Sequence, residues 1–302
     1  MLAKPGPVCG RFAPSPTGPL HFGSLIAALG SFLEARTQRS QWLVRIEDVD
    51  VPRTTPGAAD AILQTLERYG LLWDGDVWFQ SQRTERYQAA LEELSRAGRL
   101  YPCTCTRREL AGCQRGADGS PLYPGYCRTG PRQPGRPHAF RLRVTDTRLT
   151  FQDAVQGEYH QRLESEVGDF VIRRADGLFT YQLAVVVDDA DQGITEVIRG
   201  ADLLDSTPRQ LYLQMLLGLP RPRYGHLPVA VDERGDKLSK QTRAPPLDDH
   251  NPGPALWDAL RFLGQQPPAD LLNAPPAEIL NWALAHWRLQ RVSVARTQPW
   301  TR

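Results

Sequence analysis

The chain has 302 residues, 41% of them hydrophobic, with 36 basic against 34 acidic side chains and a net charge of +2. That is enough apolar material for a substantial core and more than one domain of ordinary size, while the near-neutral balance does not by itself announce a nucleic-acid binder. The longest aliphatic run, residues 183–187, is far below the roughly 20 residues that span a bilayer, and the amino end has no signal-peptide core, so the expectation is a cytoplasmic protein without membrane contact.

Taken in chain order, short apolar strand-like runs alternate with amphipathic helical stretches, the pattern of an α/β fold with a mainly parallel sheet. Residues 8–12 read as a first strand, 13–19 as a Pro/Gly-rich loop and 23–36 as a helix. A strand at 42–46 follows, then helices from about 57 to 69 and from about 82 to 97. From 99 to 165 Pro, Gly, Arg and Cys dominate, and strands are clear only at 139–144 and near 149–151, so this stretch reads as an insertion. The α/β pattern resumes with a strand at 170–173, an apolar stretch at 179–187 and a strand at 195–198. Ser206 is placed to cap a helix with Pro208 in its first turn. A strand at 224–231 empties into a Gly/Lys-rich loop, and helical pieces at 257–263 and 279–287 form a small appendix. The expected divisions are therefore 1–98 and 166–243 as two halves of one α/β unit, 99–165 as the insertion and 244–302 as the appendix.

The insertion concentrates two unusual residue types. Four of the five cysteines (Cys103, Cys105, Cys113 and Cys127) fall within it, a distribution that suits a reduced compartment and a metal site better than a disulfide framework. Closed structural zinc sites take four ligands, and spacing alone makes Cys113 the natural fourth. Residues 101–150 also carry nine arginines against Glu109, Asp118 and Asp146, a local surplus of positive charge of the kind that meets phosphates.

Two loops carry the chemistry. After the first strand, His21 and Gly23 stand at the mouth of a helix, where free backbone N–H groups suit an anion. His21 can donate to a phosphate, and Gly23, lacking a side chain, lets a nucleotide ring lie against the backbone. More than two hundred residues later, Lys237 and Lys240 flank Leu238 and Ser239 in a loop after a strand. Two mobile ammonium groups can follow a triphosphate as charge shifts toward leaving pyrophosphate.

In this order the two loops resemble the signature sequences of class I aminoacyl-tRNA synthetases, His21-Phe22-Gly23-Ser24 for the first and Lys237-Leu238-Ser239-Lys240-Gln241 for the second. Residues 45–50, 70–87 and 197–213 narrow the likeness to the glutamyl branch, over roughly residues 8–243. Ser24 in place of a second histidine and Gln241 at the last signature position depart from the pattern, and the first removes one possible phosphate donor. The resemblance implies a Rossmann-type catalytic domain with a zinc-bearing insertion and a short helical appendix. It implies ATP binding by His21, Gly23, Ser24 and Lys240, with His21, Lys237 and Lys240 as catalytic groups and Mg²⁺ brought by ATP. It further implies L-glutamate binding by Arg11, Phe12, Ala13, Pro14, Ser15, Glu47, Tyr181 and Arg199. Physically the set fits, because two arginines can pair with carboxylates while Glu47 holds the ammonium and Tyr181 supplies a hydroxyl.

The chain stops about sixty residues beyond the second signature, too soon for the anticodon-binding region of a full glutamyl-tRNA synthetase. Shortness and the cysteine pattern together resemble the bacterial glutamyl-queuosine tRNA(Asp) synthetases. That family implies one structural Zn²⁺ on Cys103, Cys105, Tyr123 and Cys127, leaving Cys113 as the rival to Tyr123. It also implies transfer of activated glutamate to queuosine in the anticodon stem-loop of tRNA(Asp) by a monomer, with the basic insertion facing the RNA. Two other readings remain open: a truncated synthetase charging a tRNA 3′ end, and an inactive regulator that binds RNA or glutamate.

Overall fold

The computed structural model describes residues 8–116, 119–238 and 245–300. The first strand, β1 (Cys9–Phe12), is buried along its length and leads through the Pro/Gly loop into α1 (Phe22–Thr37). Helix α1 is apolar on nearly every side, so it is buried on nearly every side, sharing one core with Trp42, Val44 and Ile46 of β2 (Gln41–Ile46). Helix α2 (Ala58–Arg68) buries Ile62, Thr65 and Leu66 and exposes Asp60, Gln64 and Glu67, the period of a helix lying on a sheet. Strand β3 (Trp78–Phe79) extends a parallel sheet in the order β1, β2, β3, and α3 (Thr84–Arg96) follows with Tyr87, Leu91 and Leu94 buried.

The chain then leaves this unit. Strands β4 (Leu100–Cys103) and β5 (Ala139–Leu142) pair antiparallel, and β6 (Arg148–Asp153) and β7 (Gly157–Arg162) form an antiparallel hairpin. A short helix α4 (Leu163–Glu166) precedes β8 (Phe170–Arg173), which pairs with β5. Neither β4 nor β7 was visible in the sequence, and the reason is composition. Strand β4 contains Pro102, and Glu158, His160 and Arg162 along β7 all face solvent.

Helix α5 (Tyr181–Asp191), β9 (Glu196–Gly200), α6 (Thr207–Leu216) and β10 (Arg223–Leu227) complete the doubly wound core. Strands β9 and β10 are parallel with Arg199 opposite His226, and the last residue of β6, Asp153, lies against Tyr224 on the other edge of β10. A backbone hydrogen bond from Thr195 to the Cys9 carbonyl (3.0 Å) sets this second sheet beside β1.

One unassigned stretch takes a definite form, and two local expectations change. The apolar stretch at 179–187 contributes to α5, whose residues from Leu183 to Asp189 are all buried between sheet and neighbouring helices. Ser206 belongs to a 3-10 turn (Ala201–Ser206) that runs directly into α6, and its side chain makes no capping bond. The strand expected at 224–231 breaks at Pro228, which has no N–H for a ladder, into β10 and β11 (Val229–Val231).

Helices α7 (Pro252–Phe262) and α8 (Pro276–His286) share the core of α1 through Leu256, Leu260, Ile279 and Leu280, and Trp287 donates its indole N–H to Glu34 of α1 at 2.7 Å. A last strand, β12 (Thr297–Pro299), pairs parallel with β11, and Trp300 stacks on Phe22 with ring centroids 4.0 Å apart. No helix among the described residues is long and apolar enough to cross a membrane.

Candidate active site

The carboxyl ends of β1, β2, β9 and β10 open into one cavity of about 740 Å³, the position at which doubly wound sheets hold ligands. Arg11, Phe12, Ala13, Pro14 and Ser15 enter its wall as β1 gives way to the loop, Glu47 follows directly on β2, and Arg199 sits near the end of β9. Tyr181, His21, Gly23, Ser24 and Lys237 line the same space. Of the residues expected to handle glutamate or ATP, Lys240 alone is not placed, because it lies outside the described residues together with Ser239 and Gln241.

His21 occupies the N-cap position of α1, with extended backbone and no capping bond from its side chain. The two signature loops meet at Gly23: a Cβ built there would stand 3.1 Å from the His21 ring and 3.2 Å from the Leu238 carbonyl oxygen. A side chain at Gly23 would therefore push the second loop away from the first helical turn. Leu238 donates its N–H to the Ala230 carbonyl (2.9 Å), which folds that loop back over the cavity. The Lys237 ammonium lies 2.6 Å from a carboxylate oxygen of Asp202, another cavity residue.

The opposite end of the cavity is a buried charge network. Arg45 is fully buried and pairs with Asp189 at 2.7 Å, with Glu47 at 3.4 Å and with Asp188 at 3.8 Å. Arg11, 3% exposed, reaches Asp189 at 3.4 Å. Glu47 stands beside Arg45 inside the protein: its side chain is 8% exposed, and burial pushes its carboxyl up to about 7 against the pull of Arg45 and Arg11. Burial likewise raises the Tyr181 hydroxyl above its ordinary range.

Arg199 is 4% exposed and directs its N–H groups at neutral acceptors. Nη1 donates to the Tyr181 hydroxyl (3.2 Å), Nη2 to Thr207 Oγ1 and Gln210 Oε1 (2.8 Å each), and Nε to His226 Nε2 (3.0 Å). Its charge therefore remains available to a carboxylate entering the cavity. The sequence reading missed Arg45, Asp188, Asp189 and His226. Arg45 had an available signal, since it stands near the end of β2, two residues before Glu47, a spacing that places both on one side of extended chain.

The cysteine cluster is a separate place, between β4 and the loop that precedes β5. The sulfurs of Cys103, Cys105 and Cys127 lie within 4.8 Å of one another. The Tyr123 hydroxyl is 3.3 Å from Cys103 Sγ and 3.5 Å from Cys105 Sγ, while Cys113 packs against the cluster without joining that group. Burial raises the Cys105 thiol to about 11. Burial also opposes ionisation of Cys127, but the Tyr123 hydroxyl and the Arg132 and Thr104 backbone bring its thiol down to about 6. Arg141 Nε donates to Cys103 Sγ at 3.2 Å. Three sulfurs and a phenol oxygen around one point are a donor set that fits tetrahedral zinc.

The local charge surplus shrinks in three dimensions. Arg128 pairs with Asp169 (2.6 Å), Arg141 is buried, and Arg143 donates to the Arg128 carbonyl (2.9 Å). Arg107, Arg108, Arg115, Arg132, Arg136 and Arg148 remain exposed.

Comparison with known proteins places these observations. Residues 7–261 match the family model described as tRNA synthetases class I (E and Q), catalytic domain. The chain is 55% identical over 289 residues to the glutamyl-Q tRNA(Asp) synthetase of Thiobacillus denitrificans, covering 96% of each protein. It is 56% identical to the protein of the same name from Ectopseudomonas mendocina, over 95% of this chain and 96% of that one. Among solved structures, a glutamate tRNA ligase from Elizabethkingia meningosepticum, in complex with its amino acid, shares the fold with a TM-score of 0.79 at 24% identity, over 98% of this chain and 67% of that chain.

Proposed function

Since the chain belongs to the class I tRNA synthetases of the E and Q type, and within them to the glutamyl-Q tRNA(Asp) synthetase family, we propose that it activates L-glutamate with ATP and transfers it to queuosine in the anticodon of tRNA(Asp). The observation that carries this reading is the joining of Arg11, Glu47, Tyr181 and Arg199 with His21, Gly23 and Lys237 around a single cavity. Arg11 and Arg199 hold the carboxylates of glutamate, Glu47 its ammonium, and Tyr181 a further oxygen, with the loop from Phe12 to Ser15 closing over the amino acid. ATP, carrying Mg²⁺, lies against Gly23 and Ser24 with its phosphates toward His21. A glutamate carboxylate oxygen attacks the α-phosphorus, and the bond to pyrophosphate breaks. Lys237 and Lys240 receive the leaving charge. A hydroxyl of the queuosine cyclopentenediol then attacks the acyl carbon, its proton is lost, and AMP departs.

No side-chain nucleophile enters this scheme, because positioning and charge neutralisation are sufficient. Cys103, Cys105, Tyr123 and Cys127 would hold a structural zinc, which would tie the loop before β5 to β4. Residues 99–165 present their exposed arginines to the anticodon stem-loop. Tyr126, 39% exposed and with the Arg132 guanidinium 3.8 Å over its ring, offers a flat surface to an unstacked base. The protein acts in the cytoplasm as a monomer.

The test is to incubate the protein with ATP, labelled glutamate and tRNA(Asp) with or without queuosine. Label is expected only on queuosine-bearing RNA. Label that survives without queuosine and disappears with the terminal adenosine would mark a 3′-end synthetase, and no label on either RNA would mark a regulator.

A further inference from the structure

Behind Arg199 lies a buried pair that neither signature loop contains. His226, wholly buried on β10, sits opposite Arg199 on β9, and its Nε2 receives the Arg199 Nε–H at 3.0 Å. A guanidinium N–H is always a donor, so this ring nitrogen must be the acceptor, and a neutral imidazole then carries its one proton on Nδ1. Nδ1 lies 2.6 Å from Asp153 Oδ2, and Asp153, at the end of β6, is 2% exposed. The other carboxylate oxygen is held in place by the backbone N–H groups of Val155 (3.0 Å), Gln156 (2.9 Å) and His226 (3.0 Å). Desolvation lowers the imidazole to about 4, so the ring is neutral at physiological pH.

We propose that Asp153 and His226 are positioning residues for amino-acid recognition: Asp153 selects the tautomer of His226, and His226 fixes the plane of the Arg199 guanidinium so that it meets the carboxylate of a dicarboxylic amino acid. The inference rests on the reading that Arg199 binds substrate, and it adds a chain of three residues from β6, β10 and β9. A neutral ring serves better than a second carboxylate would. It anchors Nε without neutralising the charge that Arg199 offers to the ligand, while the Asp153 charge that orders it stays one residue further back. The same three residues tie β6 to β10 and β9, its neighbours in one sheet.

Asp153→Asn provides the test. The amide oxygen can keep the three backbone bonds, while the amide N–H₂ faces Nδ1 and forces the proton to Nε2, where it confronts the Arg199 donor. The expected result is a glutamate KM raised about tenfold in ATP–pyrophosphate exchange, the size of effect common when the partner behind a ligand is lost, with the KM for ATP changed less than about twofold. Nitrogen-15 spectra of the histidines are expected to show the Nδ1–H tautomer of His226 in the wild type and Nε2–H in the variant. His226→Asn is the second variant. Its amide replaces the donor to Asp153 but not the acceptor for Arg199, and the same split between the two KM values is expected. Arg199→Ala separates the readings. If it raises the glutamate KM while both other variants leave it unchanged, the positioning role is overturned. If Arg199→Ala itself leaves glutamate untouched, the substrate assignment fails and the inference falls with it.

Discussion

Burial of Glu47 is costly to the fold that carries it. Its carboxyl is buried, and desolvation raises it from 4.5 to about 7 even with Arg45 and Arg11 nearby. A raised carboxyl binds more protons in the folded than in the unfolded chain. The empty protein therefore loses stability as pH rises from about 4.5 through about 7. An ammonium group brought by the substrate would reverse this by pairing with the ionised form. Glutamate affinity, measured by calorimetry between pH 5.5 and 8.5, is expected to weaken on the order of tenfold for each unit below the folded value and to level off above it. Glu47→Gln should flatten the profile, and a profile already flat in the wild type would remove Glu47 from ammonium recognition. The resemblance to the glutamyl branch, not the residues by themselves, pointed to Glu47, Arg11 and Arg199. It did not point to the groups that orient them. Arg45 finds Asp189 across 144 residues, and His226 finds Asp153 across 73, pairings that only the folded sheet creates.

Among the elements, those with a single clear period were legible before the structure. The amphipathic stripes of α2 and α3, and the strand at 170–173, appear where periodicity placed them. Elements went unassigned where burial or pairing overrides local pattern. Helix α5 is buried on most sides and has no polar stripe to announce it, and β7 is an edge strand with a solvated face. Spacing suggested a metal site in the cysteine loop and favoured Cys113 as its fourth ligand. The structure instead puts the Tyr123 hydroxyl against two sulfurs, because the backbone N–H of Cys127 donates to that same oxygen at 2.8 Å and fixes it there. Cys105→Ser is expected to lose zinc by elemental analysis and to increase proteolytic nicking within residues 99–165, since a structural metal contributes folding energy directly. Unchanged zinc content would refute the ligand set, and zinc lost equally in Cys113→Ser would restore Cys113 as a ligand.

At the scale of the whole molecule, the appendix and the tail bind the catalytic unit rather than forming a separate body. Helices α7 and α8 bury their apolar faces on α1, and β12 lies along β11 just before the second signature loop, with Trp300 stacked on Phe22 of the first. The chain spans nearly the whole of its glutamyl-Q relatives but 67% of a glutamate tRNA ligase. In the proposed reading the RNA is recognised by the catalytic cavity together with the exposed arginines of residues 99–165. The most direct measurement uses an isolated anticodon stem-loop of tRNA(Asp), carrying queuosine and lacking any acceptor end. With ATP and labelled glutamate, this fragment is predicted to be glutamylated at a rate close to that of the intact tRNA. A protein that ignored the fragment and labelled only RNA with an intact 3′ terminus would contradict the account.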